Sequence, residues 1–262
     1  MAVIAKLREY HSLSEAAVGD VEDLIRSVVK VERGAEILGA AHEPDPVRAL
    51  LEGWACRYVI LPNGDRQIIG MMTAGDFSDT RAIRLAVRNF GIMAMTDATI
   101  AVISPVQFKS VLDQHRDVVL AVAKAQLADE SIMQMWIANM ARKSARQRMA
   151  HLLCEMVSRV SRSNASLRLV IKLPFVQTDL ADVLGMSPVH VNRILQSLRT
   201  DGLIHFRSKW LEVSDYAGLA AVAEFDPSYL YYGQSADGAK AAARQKAPSG
   251  KTPAPPRPPE AG

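Results

Sequence analysis

Between Gln177 and Leu198 the chain reads as two short helices joined by a sharp turn: Gln177-Thr-Asp-Leu-Ala-Asp-Val-Leu-Gly185-Met-Ser187-Pro-Val-His-Val-Asn-Arg193-Ile-Leu-Gln-Ser-Leu198. Leu180, Ala181 and Leu184 fall on one face of the first helix. Val191, Ile194, Leu195 and Leu198 fall on one face of the second. Ser187 is a good N-cap, and Pro188 takes the first helical position, where its missing N–H costs nothing. The second helix turns His190, Asn192, Arg193 and Gln196 outward. Such side chains bond base edges and phosphates, and they lie toward the helix end that enters a major groove. The pattern is a helix-turn-helix. Two packed helices occur in many ordinary domains, but the next residues narrow the reading. Arg199-Thr-Asp-Gly202-Leu-Ile-His-Phe-Arg207-Ser-Lys-Trp-Leu-Glu-Val-Ser214 predicts a helix end at Gly202. Two strands, Leu203–Phe206 and Trp210–Val213, then flank a basic turn, which makes a wing. Arg142 and Lys143 are read as a basic pair opening the helix upstream.

Charge is divided along the chain in the sense this requires. Residues 1–141 carry 14 Lys and Arg against 18 Asp and Glu, a balance of −4; residues 142–215 carry 12 against 6, a balance of +6. Phosphate binding needs the positive sign, because each neutralised phosphate releases counterions. The 262 residues have room for about two domains. No apolar run approaches the roughly 18 residues of a membrane span, and the N-terminus lacks the apolar stretch of a secretory signal. The two cysteines, Cys56 and Cys154, form neither a disulfide framework nor a metal-ligand cluster. A reducing, cytoplasmic compartment is expected.

Upstream, residues 12–29 read as a helix opening at Ser12 or Ser14, with Ala16, Val21, Leu24, Ile25 and Val28 as its apolar positions. Short strands follow at Glu36–Leu38, Arg48–Leu51, Trp54–Leu61, Arg66–Met72, Ile92–Ala94 and Thr99–Ser104, with a hairpin turn at Pro62-Asn63-Gly64-Asp65. Strands spaced like this suggest a small barrel or jelly roll. Pro105–Asp113 is a short helix and Arg116–Met140 a long one. Val118, Val122, Ala125, Ile132 and Trp136 form one apolar stripe of the long helix, interrupted by Asp129. Leu120, Leu127 and Met133 make a second apolar side. A helix apolar on two sides must bury both. Ser144–Val160 places Arg146, Arg148 and Arg159 opposite Met149, Leu152, Leu153 and Met156. Ser161–Leu167 is a polar loop, Leu169–Leu173 a short strand, and Ala220–Tyr232 an aromatic end that packs back. The remaining residues, rich in Ala and Pro and net basic, cannot bury enough apolar surface to order themselves.

Over most of residues 1–232 the chain resembles the Crp/Fnr family of bacterial transcription regulators. Gly75-Asp-Phe resembles the family's turn before its ligand cassette, and Ala94-Met-Thr-Asp97 its returning strand. Leu180–Leu195 resembles its recognition unit, and Arg199-Thr-Asp-Gly-Leu-Ile its exit into the wing. The resemblance implies an α+β chain: an N-terminal cupin-like β-roll of eight strands, cyclic-nucleotide-binding-like, then a long dimerisation helix and a C-terminal winged helix-turn-helix. The expected domains are 1–115, 116–141 and 142–232, with a disordered tail at 233–262. It implies a homodimer on a near-palindromic duplex, with RNA polymerase as a further partner and no membrane. Arg193 falls at the family's base-reading arginine, where a guanidinium forks onto guanine. Asn192 suits an adenine or a phosphate, and Val189 a thymine methyl. Pro188 and Val189 stand where the family often has arginine and glutamate, so the sequence read differs from that of the best-known cyclic-AMP-dependent member. Gln177, Thr178, Ser187, Gln196 and Arg207 are candidate phosphate contacts, and His190 flanks the arginine.

The family's nucleotide cassette continues Gly-Asp-Phe with a Gly-Glu pair and carries an Arg-Ser/Thr pair before the returning strand. Here Ser78-Asp79-Thr80-Arg81 follows, and only Arg88 stands at the arginine position, with Asn89 after it. Cyclic-nucleotide binding is therefore not expected, and Arg88 is the single candidate ligand group. An iron–sulfur cluster needs about four cysteines. His11, His42 and His115 lack the spacing for haem, and no metal is expected. Asp45, Asp76 and Asp79 read as turn residues. No nucleophile with a base, paired carboxylates or phosphate loop is present, so no enzyme and no cofactor is expected. The N-terminal roll either binds an unidentified signal, small-molecule or redox, or serves as a dimerisation scaffold.

Overall fold

A computed structural model describes residues 1–39, 46–78, 89–161, 169–173, 175–207 and 210–231. Outside them lie Arg88, Asp45, Asp79, His42, most of the 161–167 loop, the basic turn of the wing at 208–209, Tyr232 and the tail.

The roll comes from seven strands among the described residues: β1 (Val28–Val31), β2 (Glu36–Leu38), β3 (Val47–Glu52), β4 (Ala55–Ile60), β5 (Arg66–Met72), β6 (Gly91–Ala94) and β7 (Ala98–Ile103). They form two antiparallel sheets, ordered β1-β7-β3 and β2-β6-β4-β5. Leu38, Leu50, Met72, Phe90, Ile92 and Ile100 fill the space between. Gly64 (φ +87°) closes the β4–β5 turn by donating to the Leu61 carbonyl at 2.8 Å, as the Asn-Gly pair predicts. In β4–β5 the register shifts, pairing Arg57 with Gly70 but Tyr58 with Ile68. The bulge keeps Met71 and Ile68 on one face despite their odd spacing. That face, with Cys56 and Tyr58, points away from the roll interior and joins the apolar core of the C-terminal half.

The N-terminus departs from the sequence expectation twice. A helix α1 (Ala2–Tyr10) buries Val3, Ile4, Leu7 and Tyr10, none of which was foreseen. The expected helix at 12–29 is α2 (Glu15–Leu24), capped by Ser14, whose hydroxyl accepts from Ala17 N–H at 3.3 Å. Val28 lies in β1, paired with Ala101, and Ala16 is exposed while Ala17 is buried. Met95–Asp97 is the turn between β6 and β7 rather than strand.

α3 (Pro105–Gln114) leads into α4 (Arg116–Arg142), 27 residues long. Val118, Ala121, Val122, Ala128 and Ile132 are buried, whereas Leu120, Leu127 and Ile137 are exposed. Arg142 ends this helix and Lys143 caps it in an extended conformation, so the basic pair closes α4 instead of opening the next helix. α5 (Ala145–Ser161) follows, then β8 (Leu169–Lys172), α6 (Gln177–Leu184), α7 (Pro188–Thr200), β9 (Ile204–Arg207), β10 (Trp210–Val213), α8 (Tyr216–Ala223) and a 3-10 turn at Pro227–Leu230. The wing is the antiparallel sheet β8-β10-β9. Arg159 is expected from the sequence to lie with Arg146 and Arg148 on the side of α5 opposite the apolar residues. It is buried, at 4% exposure, because it ion-pairs inside the molecule. The aromatic end does pack back: Phe225 meets His151 edge-on at a centroid distance of 5.0 Å, and Tyr229 stacks on it at 5.8 Å.

Candidate nucleic-acid interface

Val191, Ile194, Leu195 and Leu198 are buried beneath α7, and Leu180, Ala181 and Leu184 beneath α6. Gly185 makes the turn at φ +60°, a left-handed conformation that glycine adopts without strain. Ser187 caps α7, its hydroxyl accepting from His190 N–H at 3.3 Å. Capping leaves the remaining N–H groups and the positive end of the helix dipole facing out, a natural anion site.

All nine candidate contact residues are exposed. Ser187, Val189, His190 and Arg193 line one groove of about 310 Å³ together with Arg146 and Ser197. Asn192 and Gln196 lie further around the exposed side of α7, Gln177 and Thr178 at the start of α6, and Arg207 at the end of β9. Arg146 was not among the sequence candidates for this groove. It donates to the Ser197 hydroxyl and pairs with Asp201, so its charge is already engaged by α7 and the residue after it. Arg199 is likewise occupied, donating to the Phe206 carbonyl at 3.0 Å and so fixing the wing to α7.

A second concavity, of about 500 Å³, lies between the roll, α1 and α4. The Gly75-Asp76-Phe77 turn and Arg57 form part of its wall, Lys6 and Tyr10 come from α1, and Gln126, Asp129 and Met133 come from α4. Met133 borders the cavity while remaining exposed, as Leu120 and Leu127 are, and Asp129, which interrupts the apolar stripe, pairs with Arg57 at 3.0 Å. Lys6 pairs with Asp76 at 3.3 Å. Burial alone would raise the Asp76 pKa, but Lys6 and Arg159 outweigh it and hold the carboxyl down at about 2.

A family model of the cyclic nucleotide-binding domain matches residues 28–115, and one of the Crp-like helix-turn-helix domain matches 147–222. The transcriptional activator protein FnrL of Cereibacter sphaeroides is 25% identical over 196 residues, 72% of this chain and 77% of that protein. The fumarate and nitrate reduction regulatory protein of Salmonella typhimurium is 21% identical over 218 residues, 81% of this chain and 84% of its own. The solved structure of FixK2 from Bradyrhizobium japonicum superposes with a TM-score of 0.65 at 19% identity, covering 75% of this chain and 96% of that one. The chain belongs to the Crp/Fnr family. It is a transcription regulator with a helix-turn-helix DNA-binding domain.

Within the Crp/Fnr frame the cavity has its own chemistry. Among the described residues its two wall cations, Lys6 and Arg57, are both ion-paired. A nucleotide phosphate would have to displace Asp76 or Asp129 to reach them. Both cysteines are buried, and burial pushes Cys56 and Cys154 up to about 12, which disfavours the thiolate that redox chemistry uses. His115, considered for haem, instead meets the Asp20 carboxylate at 2.7 Å. Among the described residues no group of three His, Cys, Asp or Glu side chains is placed to hold a metal ion, and no helix is long and apolar enough to cross a membrane.

Proposed function

We propose that the chain acts as a homodimer in the cytoplasm, reading a near-palindromic duplex with two copies of α7, and that it regulates transcription by contact with RNA polymerase rather than by catalysis. The observation that carries the reading is α7 itself. Its apolar face is fully buried, while Val189, Asn192, Arg193 and Gln196 remain outward, with Val189 63% exposed. Arg193 reads a guanine; Ser187, Gln177, Thr178 and Arg207 hold phosphates. Two-fold symmetry comes from α4. Leu120, Ala123, Leu127, Glu130, Gln134, Ile137 and Ala141 recur at alternating steps of three and four and are all exposed. That spacing is a coiled-coil seam. Dimerisation sets the two reading helices about one DNA turn apart. The roll cavity favours a small-molecule signal over a redox one, since both thiols are buried and burial disfavours their thiolate forms.

Selection of bound sites from a random duplex pool by the purified, ligand-free protein, read by sequencing, tests this. A two-fold symmetric motif is the expected result. An asymmetric motif would overturn the symmetric dimer, and no enrichment at low salt from an intact dimer would overturn DNA reading by the ligand-free chain.

A further inference from the structure

Among the bonds that join the roll to the DNA-binding half, one runs from the cavity wall itself through a buried arginine. Asp76 is a wall residue. Its Oδ2 accepts from the Thr73 N–H at 2.8 Å and the Thr73 hydroxyl at 3.1 Å, and Lys6 lies 3.3 Å from Oδ1. The fourth partner comes from outside the roll. Arg159, near the end of α5, donates to Asp76 Oδ2 at 3.1 Å and to the Met71 carbonyl of β5 at 2.9 Å. One turn back along α5, fully buried Glu155 lies 3.7 Å from the Arg159 guanidinium. Glu155 also accepts from the Trp136 indole of α4 and the Tyr229 hydroxyl, each at 2.9 Å. Tyr229 meets His151 at 3.0 Å, and His151 lies 3.2 Å from Lys143 at the α4–α5 joint.

Such an arrangement is a poor way to gain stability. Buried ion pairs lose in desolvation much of what they gain in attraction, and well-packed apolar residues often serve as well. What charged hydrogen bonds do supply is a specific geometry between two bodies. The other end of α5 carries Arg146, bonded to Ser197 of α7, and the apolar sides of α5 and α7 share one core. α5 is therefore a lever with one end keyed to the cavity wall and the other to the reading helix.

We propose that the Asp76–Arg159 pair couples the cavity to DNA reading, with Arg159 as the positioning residue: an occupant that competes for Asp76 or for Lys6 changes the hold on Arg159, and α5 carries the change to α7. The proposal rests on α7 being the DNA-reading helix. Coupling is reciprocal, so DNA must act on the cavity wall if the cavity acts on DNA. The selected duplex is then a sufficient probe and no effector is needed. In hydrogen exchange on the full chain, duplex binding is expected to alter the exchange of the Thr73–Asp76 amides several-fold in the native sequence, and this response is lost in Asp76→Asn. In a cycle of duplex affinities, Asp76→Asn and Arg159→Met each move the affinity by about five-fold or more, and the double variant by no more than one of them. Additive or absent shifts, or wall amides indifferent to a bound duplex, would overturn the coupling. If the variants do not fold, the exchange of the native protein alone decides. A native protein that binds no duplex would instead overturn the DNA reading, and the coupling with it.

Discussion

Arg193 differs from its neighbours in having nothing to do inside the protein. Arg146 is held by Asp201 and Ser197, Arg199 by a wing carbonyl; among the described residues Arg193 makes neither an ion pair nor a hydrogen bond. Arg193→Ala is therefore expected to leave the fold intact, to cost about 1–3 kcal/mol of specific binding and to relax one base position in the selected motif. Arg207→Ala is expected to weaken binding evenly on all sequences and to lower the salt slope by about one. Titrations of matched and mismatched duplexes at several salt concentrations distinguish the two. Arg193 was legible from sequence because helical spacing alone turns it outward. The buried Arg159 was not: charge alone groups it with Arg146 and Arg148, although at helical spacing it stands beside Leu152 at the edge of the apolar face, and the Asp76 carboxylate that receives it comes from far along the chain. His151 offers a pH test at the same scale. Burial, then the Lys143 charge, lowers its pKa to about 4 from the ordinary 6.5. The unfolded chain takes up this proton first, so stability is whole above about pH 6.5 and is lost progressively as pH falls toward 4. Urea midpoints should drop over that window, and His151→Gln should flatten the drop.

At the scale of elements, what the sequence withheld was the N-terminal helix. Val3, Ile4, Leu7 and Tyr10 do recur at helical steps, but they precede the first obvious caps, Ser12 and Ser14. α2 was drawn too long because Val28-Val-Lys-Val continues an apolar pattern without a glycine or proline to end it. Strand registers, including the bulge opposite Arg57, depend on cross-strand partners far along the chain, which local periodicity does not encode. The helix-turn-helix, by contrast, has its caps, turn glycine and buried face within 22 residues, and its elements match the reading closely. The seating of α1 has a measurable consequence. Gly75 has φ +99°, and a Cβ there would stand 2.6 Å from the Lys6 Cβ and 2.7 Å from the Ala2 carbonyl oxygen. Gly75→Ala must strain the turn and also lift α1 from the cavity. At Gly64, with φ +87° and open space around it, the same substitution brings strain alone. Both are expected to destabilise, Gly75→Ala by the larger amount and on the order of 1–3 kcal/mol, in denaturant titration. Only Gly75→Ala should expose residues 2–10 to proteolysis.

For the whole molecule, the four-stranded sheet of the roll is the shared floor of both halves. Arg66 bonds Asp179 at 2.9 Å and Asp182 at 2.7 Å, Arg33 bonds Asp179 at 2.8 Å, and Gln67 donates to the Asp182 carbonyl, so α6 is seated directly on β5. With α1 and the strands β3 and β7 packed on one side of α4, the apolar residues left over mark the other side. Leu127 is 59% exposed and Ile137 71%, both on the three-and-four seam. Exposed apolar surface running along a 27-residue helix calls for a partner, and a second copy supplies an identical seam. Leu127→Glu would set two like charges against each other across the two-fold axis while touching nothing in the single chain's core. The expected result is a monomer by sedimentation, with folded content and urea midpoint at dilute concentration unchanged. Affinity for the full symmetric duplex should fall toward that for a half-site, because linking two reading helices is what multiplies their affinities. A variant that remained dimeric would place the symmetric contact elsewhere. A monomer retaining full affinity would mean that α7 reads its site without a partner.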